Sequence, residues 1–249
     1  IGVMKPASPA ASSPGVSLVN MLVATTRAPS KAPGVLFSGE RGTGLALSAI
    51  TVSIPPDAKR TIGQVQWPSK LPSDPQKAFT TVDVKPMLSI PQARAWSREH
   101  MPKSRRVMVF VHGFNNRYED AIYRFAQIVH DSGADVQPVI FTWPSRASIF
   151  DYNYDKESTN FSRDALEELL QSLADNPSVG EVTVMAHSMG TWLAMESLRQ
   201  MAIRDKRVAS KIQNVILAAP DLDVDVFGRQ ISEIGKQGPK FTIFTSQDD

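Results

Sequence analysis

The sequence predicts an α/β sandwich with a mostly parallel central sheet over residues 105–249, preceded by antiparallel strands nearer the N-terminus. The first observation is that strand-length apolar runs alternate with amphipathic helical segments in residues 105–249. Strands that are apolar on both faces are typical of parallel sheets covered by helices on both sides. The second observation is that 13 of the 18 prolines lie in residues 1–102, where they interrupt helices and favour short strands.

The first 16 residues are rich in proline, alanine and serine. Such a composition holds little apolar surface to offset the entropy of ordering, so we predict a flexible tail over residues 1–16. Residues 17–104 are predicted to contain strands that extend the sheet or pack on its edge, in a single domain with residues 105–249. The candidate strands are the β-branched and aliphatic runs 17–26, 45–54 and 79–84, followed by a short helix over 90–100.

Residues 105–249 alternate regularly between predicted strands and predicted helices. The strand runs are apolar throughout, and the helical segments place apolar residues three and four positions apart. In chain order, the predicted strands cover 107–113, 138–143, 181–187, 214–219 and 240–246. The predicted helices between them cover 117–131, 157–174, 189–203 and 223–235. Right-handed crossovers are the default for such units, and they bring the carboxyl ends of the strands to one edge.

The overall composition is that of an ordinary globular protein, with 42% hydrophobic and 21% charged residues among 249. A chain of this length can bury a sizeable core without covalent cross-links. It has no cysteine, which excludes a disulfide framework, a cysteine nucleophile and a thiolate-bound metal. No apolar run approaches the roughly 20 residues that a bilayer-spanning helix needs.

The net charge of +2 is unevenly distributed along the chain. Residues 1–104 carry 12 lysines and arginines against 5 acidic residues, whereas residues 105–249 carry 15 against 20. A nucleic-acid-binding domain usually concentrates more positive charge on one element than either part does. We therefore expect no nucleic-acid partner.

Residues 186–190, Ala-His-Ser-Met-Gly, lie between a predicted strand and a predicted helix. A serine at such a junction, with small residues two positions before and after it, is the pattern of a nucleophile elbow. Here the small residues are Ala186 and Gly190, and Ser188 is the candidate nucleophile. Pentapeptides of this composition also arise by chance, so the position between strand and helix carries the prediction.

Residues 111–114, Val-His-Gly-Phe, end an earlier predicted strand and provide a second element of the same site. In folds with a nucleophile elbow, the loop after such a strand donates one backbone N–H to the oxyanion hole, and the residue after the nucleophile donates the other. This pattern predicts Phe114 and Met189 as the two donors. Gly113 allows the backbone to approach the substrate closely, and we expect His112 to order the loop.

These motifs resemble those of a bacterial α/β-hydrolase family of unknown function, whose members are often labelled esterase/lipase superfamily enzymes. The resemblance covers residues 105–249. It implies the α/β-hydrolase fold and Ser188 as the nucleophile. It also implies export to the periplasm or cell envelope, and some members are held at the membrane by an N-terminal lipid tether. The matching stretches are VFVHGFNN (109–116), FTWPS (141–145), YNYD (152–155), AHSMG (186–190), APDLDVDVF (219–227) and SQDD (246–249).

The acid of the expected catalytic triad follows the serine in the chain, because this fold orders the triad as serine, acid, histidine. The loop after the predicted strand 240–246 is the commoner position for the acid. The stretch at 246–249 resembles the acid motif of the family, so we favour Asp249. Asp248 and Asp221 remain alternatives.

A catalytic histidine is missing from the expected place. All four histidines of the chain precede Ser188, namely His100, His112, His130 and His187. His187 adjoins the serine, and neighbours at a strand end point in opposite directions, so it is a poor general base. We expect the histidine and the C-terminal part of the fold to lie beyond residue 249, and residues 1–249 alone to be weakly active or inactive.

The sequence thus favours a serine hydrolase that cleaves an acyl ester through an acyl-enzyme at Ser188, without metal or cofactor. The substrate would be a small-molecule ester or a lipid, the latter at a membrane surface. The aromatic-rich segment 143–161 is either a wall over the acyl group or a loop held by its own aromatic residues. The alternative is a non-catalytic binding or scaffold protein of the cell envelope that keeps the α/β-hydrolase fold.

Overall fold

The strands of the protein form one sheet, as seen in a computed structural model that describes residues 2–87 and 89–245. The strands in these ranges are β1 (Ser17–Pro29), β2 (Phe37–Ile54), β3 (Thr80–Met87), β4 (Arg106–Val111), β5 (Gln137–Thr142), β6 (Glu181–His187), β7 (Ile212–Ala218) and β8 (Lys240–Phe244). The α-helices in these ranges are α1 (Ile90–Glu99), α2 (Tyr118–Ser132), α3 (Tyr152–Asp175), α4 (Gly190–Asp205) and α5 (Val224–Ile234).

The strand order across the sheet is β3-β2-β1-β5-β4-β6-β7-β8. The six strands β1-β5-β4-β6-β7-β8 each run parallel to their neighbours in this order. At the other edge of the sheet, β2 pairs antiparallel with both β1 and β3. The prediction of a mostly parallel sheet preceded by antiparallel strands is confirmed.

The two faces of the sheet are packed by different helices. Along β4, Val109 and Val111 point into a core shared with α3 and α4, whereas Phe110 points into a core shared with α2. This alternation follows from the two-residue period of a strand. Both faces of the central strands are therefore buried, which is why their sequences are apolar throughout.

The sheet has a topological switch point at β4. The strands β5 and β6 lie on opposite sides of β4, and the helices α2 and α4 that follow β4 and β6 cover opposite faces. Open α/β sheets bind ligands in the crevice beyond the carboxyl ends of the strands at such a point. The loops after β4 and β6 therefore frame the expected place of a functional site.

Two elements are longer than the sequence pattern predicts. The helix predicted over 157–174 begins at Tyr152, so the aromatic-rich segment 143–161 is helical in its second half. The hairpin of β1 and β2 continues beyond the apolar runs, with Arg27 opposite Arg41 and Pro29 opposite Phe37. Backbone pairing holds these residues in strands regardless of side-chain polarity, and hydrophobic periodicity alone misses them.

The N-terminal segment packs on the domain, in contrast to the flexible tail predicted for residues 1–16. Met4 is fully buried and Val3 nearly so, in the core on the α2 side of the sheet. The backbone N–H of Met4 donates to the carbonyl of Gly34 at 2.8 Å, and that of Ala7 to the carbonyl of Thr81 at 2.9 Å. Average composition missed this because two apolar side chains and a few backbone bonds are enough to hold a short segment.

None of the helices in the described residues is both long enough and apolar enough to cross a bilayer.

Replacing Met4 with alanine tests whether the N-terminal segment contributes to the core. We expect the free energy of unfolding to fall by about 2 to 5 kcal/mol, because a buried side chain leaves a cavity. The matched control is Lys5→Ala at an exposed neighbouring position, which should change stability by about 0.5 kcal/mol at most. Urea unfolding measures both, and equal stability of the two variants would contradict the packing of this segment.

Candidate active site

Ser188 occupies the sharp turn between β6 and α4. Its backbone φ is 53°, in the left-handed region. This conformation costs an L-residue about 1–2 kcal/mol, and such strain concentrates at functional sites. The backbone N–H of Ser188 donates to the carbonyl of Ala218 at 3.0 Å, which ties the turn to the end of β7.

Gly190 and Gly113 let the loops after β4 and β6 lie in direct contact. A Cβ atom at Gly190 would overlap the carbonyl oxygen of His112. A Cβ atom at Gly113 would lie 3.0 Å from the Cβ of Ser188 and 2.8 Å from Nδ1 of His187. These positions therefore exclude larger residues. Ala186, the small residue before the turn, is fully buried.

The carbonyl oxygen of Ser188 accepts three hydrogen bonds that brace the turn. Thr191 donates its backbone N–H at 3.0 Å and its Oγ1 hydroxyl at 2.6 Å. The backbone N–H of Asp221 donates at 3.3 Å from the loop after β7. These donors belong to two different elements, so the strained turn is fixed by groups that a local sequence motif does not include.

The backbone N–H groups of Phe114 and Met189 lie on the two loops that meet at Ser188. Within the described residues, neither N–H donates to any protein acceptor. Buried or half-buried backbone donors nearly always pair with protein or with ordered water, so two donors without a protein acceptor are free to bind a ligand. Met189 directly precedes α4, where the helix dipole adds positive potential.

The loop after β4 is held in shape by the side chain of Asn116. Its Nδ2 donates to the carbonyl of Gly113 at 3.1 Å and to the carbonyl of Phe114 at 3.0 Å. The backbone N–H of Asn116 donates to Oγ of Ser145 at 3.1 Å. Because both carbonyls point at Asn116, the intervening peptide groups have a fixed orientation.

His112 is buried beneath the same loop, with both ring nitrogens engaged. Its Nε2 accepts the backbone N–H of Trp143 at 3.0 Å, so its Nδ1–H donates to the carbonyl of Gly113 at 2.9 Å. Burial, helped by the charge of Arg27, lowers the pKa of the His112 imidazole to about 3. The ring is therefore neutral at pH 7 and supports the loop, leaving no nitrogen for a proton transfer.

Arg27, at the end of β1, lies buried at the centre of this arrangement, with 2% of its surface exposed. Its Nε donates to Oγ1 of Thr142 at 2.8 Å, and its Nη2 donates to the carbonyl of Asn116 at 2.6 Å. Its Nη1 donates to the carbonyls of Ser38 at 3.2 Å and Ser145 at 2.9 Å. Burial lowers the pKa of Arg27 to about 10, so the guanidinium stays charged at neutral pH.

A buried carboxylate completes the network around Arg27. Asp155, in the first turn of α3, is fully buried. It accepts hydrogen bonds from the hydroxyl of Ser145 and from the backbone N–H of Arg146, the latter at 2.9 Å. Since Ser145 Oγ also accepts from Asn116, the network links α3 to the loop after β4 through two hydrogen bonds.

A phenol and a carboxylate meet at the outer edge of the site. The hydroxyl of Tyr152 donates to Oδ2 of Asp221 at 2.8 Å, and this bond raises the pKa of Tyr152 to about 12. The Tyr152 ring contacts the Phe114 ring edge-on, with centroids 5.4 Å apart. The structure thus brings Asp221, a predicted alternative acid, next to Ser188. Asp248 and Asp249 lie outside the described residues.

Two of the remaining histidines, His100 and His130, have other partners. His130 bonds Asp57 at 2.9 Å, and Nδ1 of His100 bonds the carbonyl of Trp96 at 2.8 Å. No hydrogen bond joins any of the four histidines to Ser188 in the described part of the chain. Nor do three histidine, aspartate or glutamate side chains come together there as metal ligands.

The sequence analysis missed Arg27 and Asp155 as residues of this site, and it included Tyr152 only as part of the aromatic-rich segment 143–161. Arg27 carried a weak signal, since it is a lone charged residue directly after an apolar strand run. Asp155 and Tyr152 both lie in the stretch YNYD (152–155), which carried the family resemblance without an assigned role.

Replacing Arg27 with methionine tests the network that holds the loops. We expect the free energy of unfolding to fall by about 3 kcal/mol or more, because buried carbonyls and Asp155 lose their cation. Arg41→Met is the matched control, since Arg41 lies opposite Arg27 on β2 and is half-buried. It should cost about 1 kcal/mol or less. Equal losses in thermal or urea unfolding would show that Arg27 has no special role.

The comparison with known proteins agrees with this geometry. A family model described as alpha/beta hydrolase of unknown function (DUF900) matches residues 91–249, which is more than half of the chain. Among curated proteins, no significant match is found. The mostly parallel eight-stranded sheet of the described residues, with antiparallel strands at its N-terminal edge, fits the fold that this description names. The chain therefore belongs to this family of alpha/beta hydrolases.

Proposed function

We propose that the protein is a serine hydrolase that cleaves a carboxylic ester through an acyl-enzyme at Ser188. The observation that carries this proposal is the pair of unpaired backbone N–H groups, of Phe114 and Met189, beside the strained serine. Binding alone does not need a strained turn or two preorganised donors at one point.

In the proposed reaction, Oγ of Ser188 attacks the ester carbonyl and forms a new C–O bond, while a general base takes the hydroxyl proton. The carbonyl oxygen becomes an oxyanion and accepts hydrogen bonds from Phe114 and Met189. Each such donor contributes a few kcal/mol to lowering the barrier, because it needs no reorganisation during the reaction. The alcohol leaves with the transferred proton, and water then hydrolyses the acyl-enzyme by the same route and frees Ser188.

The general base in this proposal is a histidine outside residues 1–249. His112 has both ring nitrogens engaged, and the other three histidines make no hydrogen bond to Ser188 in the described residues. Without a base, a serine hydroxyl is a poor nucleophile. Asp249 is our first choice for the carboxylate that orients the histidine, with Asp248 and Asp221 as alternatives.

The substrate class is proposed on the chemistry of the site and on the family resemblance. Backbone N–H donors suit a neutral carbonyl that becomes negative during the reaction, as in an ester of a small molecule or a lipid. Phe114 and Tyr152 form an aromatic pair on the segments around the serine, and an acyl chain bound there would contact it. We propose the periplasm or cell envelope as the compartment.

Fluorophosphonate labelling, measured by intact mass, tests the proposal. Residues 1–249 and the protein with its natural flanking sequence are compared, each beside its own Ser188→Ala variant. We expect one adduct on the longer protein that Ser188→Ala abolishes. We expect slow or no labelling of residues 1–249, since an oxyanion hole alone leaves only residual catalysis.

The other outcomes of this experiment are equally informative. Rapid labelling of residues 1–249 would show that the base lies within this chain and would overturn its proposed position. Absence of labelling in the longer protein would contradict an activated serine and favour the alternative, a non-catalytic binding protein with this fold.

A further inference from the structure

Tyr152 contacts both of the loops that flank Ser188. It is the first residue of α3 and is 39% exposed at the mouth of the site. Its hydroxyl donates to Oδ2 of Asp221 in the loop after β7, and its ring contacts Phe114 in the loop after β4. One side chain therefore connects two segments that are more than 100 residues apart in sequence.

The contact with Asp221 leads directly to the serine. The backbone N–H of Asp221 donates to the carbonyl of Ser188 at 3.3 Å and to Oγ1 of Thr191 at 3.2 Å. The loop that carries Asp221 begins at Ala219, whose φ of 44° is also in the left-handed region. A strained loop needs outside contacts to keep its shape, and the Tyr152 hydroxyl supplies one.

The contact with Phe114 leads to the other loop, the one after β4. The ring of Phe114 and its unpaired N–H belong to one residue, and the next residue, Asn115, has a φ of 63°. Because the ring and the N–H share one Cα atom, a displacement of that Cα after loss of the ring contact would shift the N–H. A donor stabilises an oxyanion only when it lies within about 2.7–3.1 Å of the developing charge. A misplacement of about 1 Å can cost about a hundredfold in rate.

From these contacts we propose that Tyr152 is a positioning residue, which holds Phe114 and Asp221 in the one arrangement that aligns Ser188 with its oxyanion donors. The inference rests on the proposed function, since it assigns Tyr152 a role in that same reaction. Asp221 then acts as the partner of Tyr152, and another carboxylate orients the histidine.

The test uses the protein with its natural flanking sequence and the variant Tyr152→Phe, which removes the hydroxyl and keeps the ring. On a short-chain nitrophenyl ester, we expect kcat to fall about tenfold, the usual effect of losing one hydrogen bond to a charged group. KM should change less than about twofold, because uniform binding of the ester is not affected.

The matched control is Tyr154→Phe, two residues further along α3. The Tyr154 hydroxyl donates to the carbonyl of Gly39 at 3.1 Å, on β2 and away from Ser188. We expect this variant to keep the kcat of the wild type. An equal loss in both variants would overturn the proposal, because it would reflect general damage to α3.

Asp221→Asn separates positioning from catalysis by Asp221. The amide oxygen of asparagine still accepts the phenol hydrogen, so we expect kcat to fall no more than about tenfold. Replacing the acid of a serine triad with asparagine instead costs on the order of ten-thousandfold. A loss of that size would contradict the role given to Asp221 here and identify it as the triad acid.

Hydrogen exchange provides a second measurement that does not depend on activity. In Tyr152→Phe, the backbone amides of residues 219–223 should exchange faster than in the wild type and in Tyr154→Phe, whereas those of residues 113–116 should stay close to the wild type because the ring that contacts Phe114 is kept. Unchanged exchange of residues 219–223 would overturn the positioning role. If the wild type neither hydrolyses esters nor labels, the proposed function fails, and the exchange result still decides whether Tyr152 holds the loop after β7.

Discussion

The buried guanidinium of Arg27 is the interaction on which the candidate site depends. It donates to backbone carbonyls in the loop after β4, in the loop after β5 and on β2, and to the hydroxyl of Thr142. An unpaired cation is costly to bury, but these acceptors satisfy its donors, and the charges of Glu119 and Asp155 favour the protonated form. Loops that lack regular structure thus obtain a fixed geometry from one side chain of the N-terminal strands.

This arrangement explains how the protein maintains strain at Ser188. The left-handed turn is unfavourable alone, yet its carbonyl accepts three hydrogen bonds, and two glycines allow the neighbouring loop to contact it. The same contacts bring together the two loops that carry the N–H groups of Phe114 and Met189, neither of which has a protein acceptor in the described residues. In the reaction proposed for this site, such donors are preorganised, because they need no rearrangement when a substrate arrives.

The order of strands and helices, the turn at Ser188 and the loop at Gly113 could be predicted because each depends on residues close together in sequence. Arg27 could not, because its partners Thr142, Ser145 and Asn116 lie more than 80 residues away. Asp155 bonds Ser145 and Arg146, only ten and nine residues away, but hydrophobic periodicity carries no information on such polar contacts. The buried position of Met4 was missed for a related reason, since Thr81 of β3 contacts Met4 and Tyr123 of α2 contacts Val3, far along the chain.

The most direct test of this account is a crystal structure of the protein, with its natural flanking sequence, after a fluorophosphonate has reacted. The account predicts phosphorus bonded to Oγ of Ser188, with one phosphoryl oxygen about 2.7–3.1 Å from the backbone nitrogens of Phe114 and Met189. A phosphoryl oxygen that points into solvent, with both N–H groups still unpaired, would contradict the central claim that these two donors form the oxyanion hole.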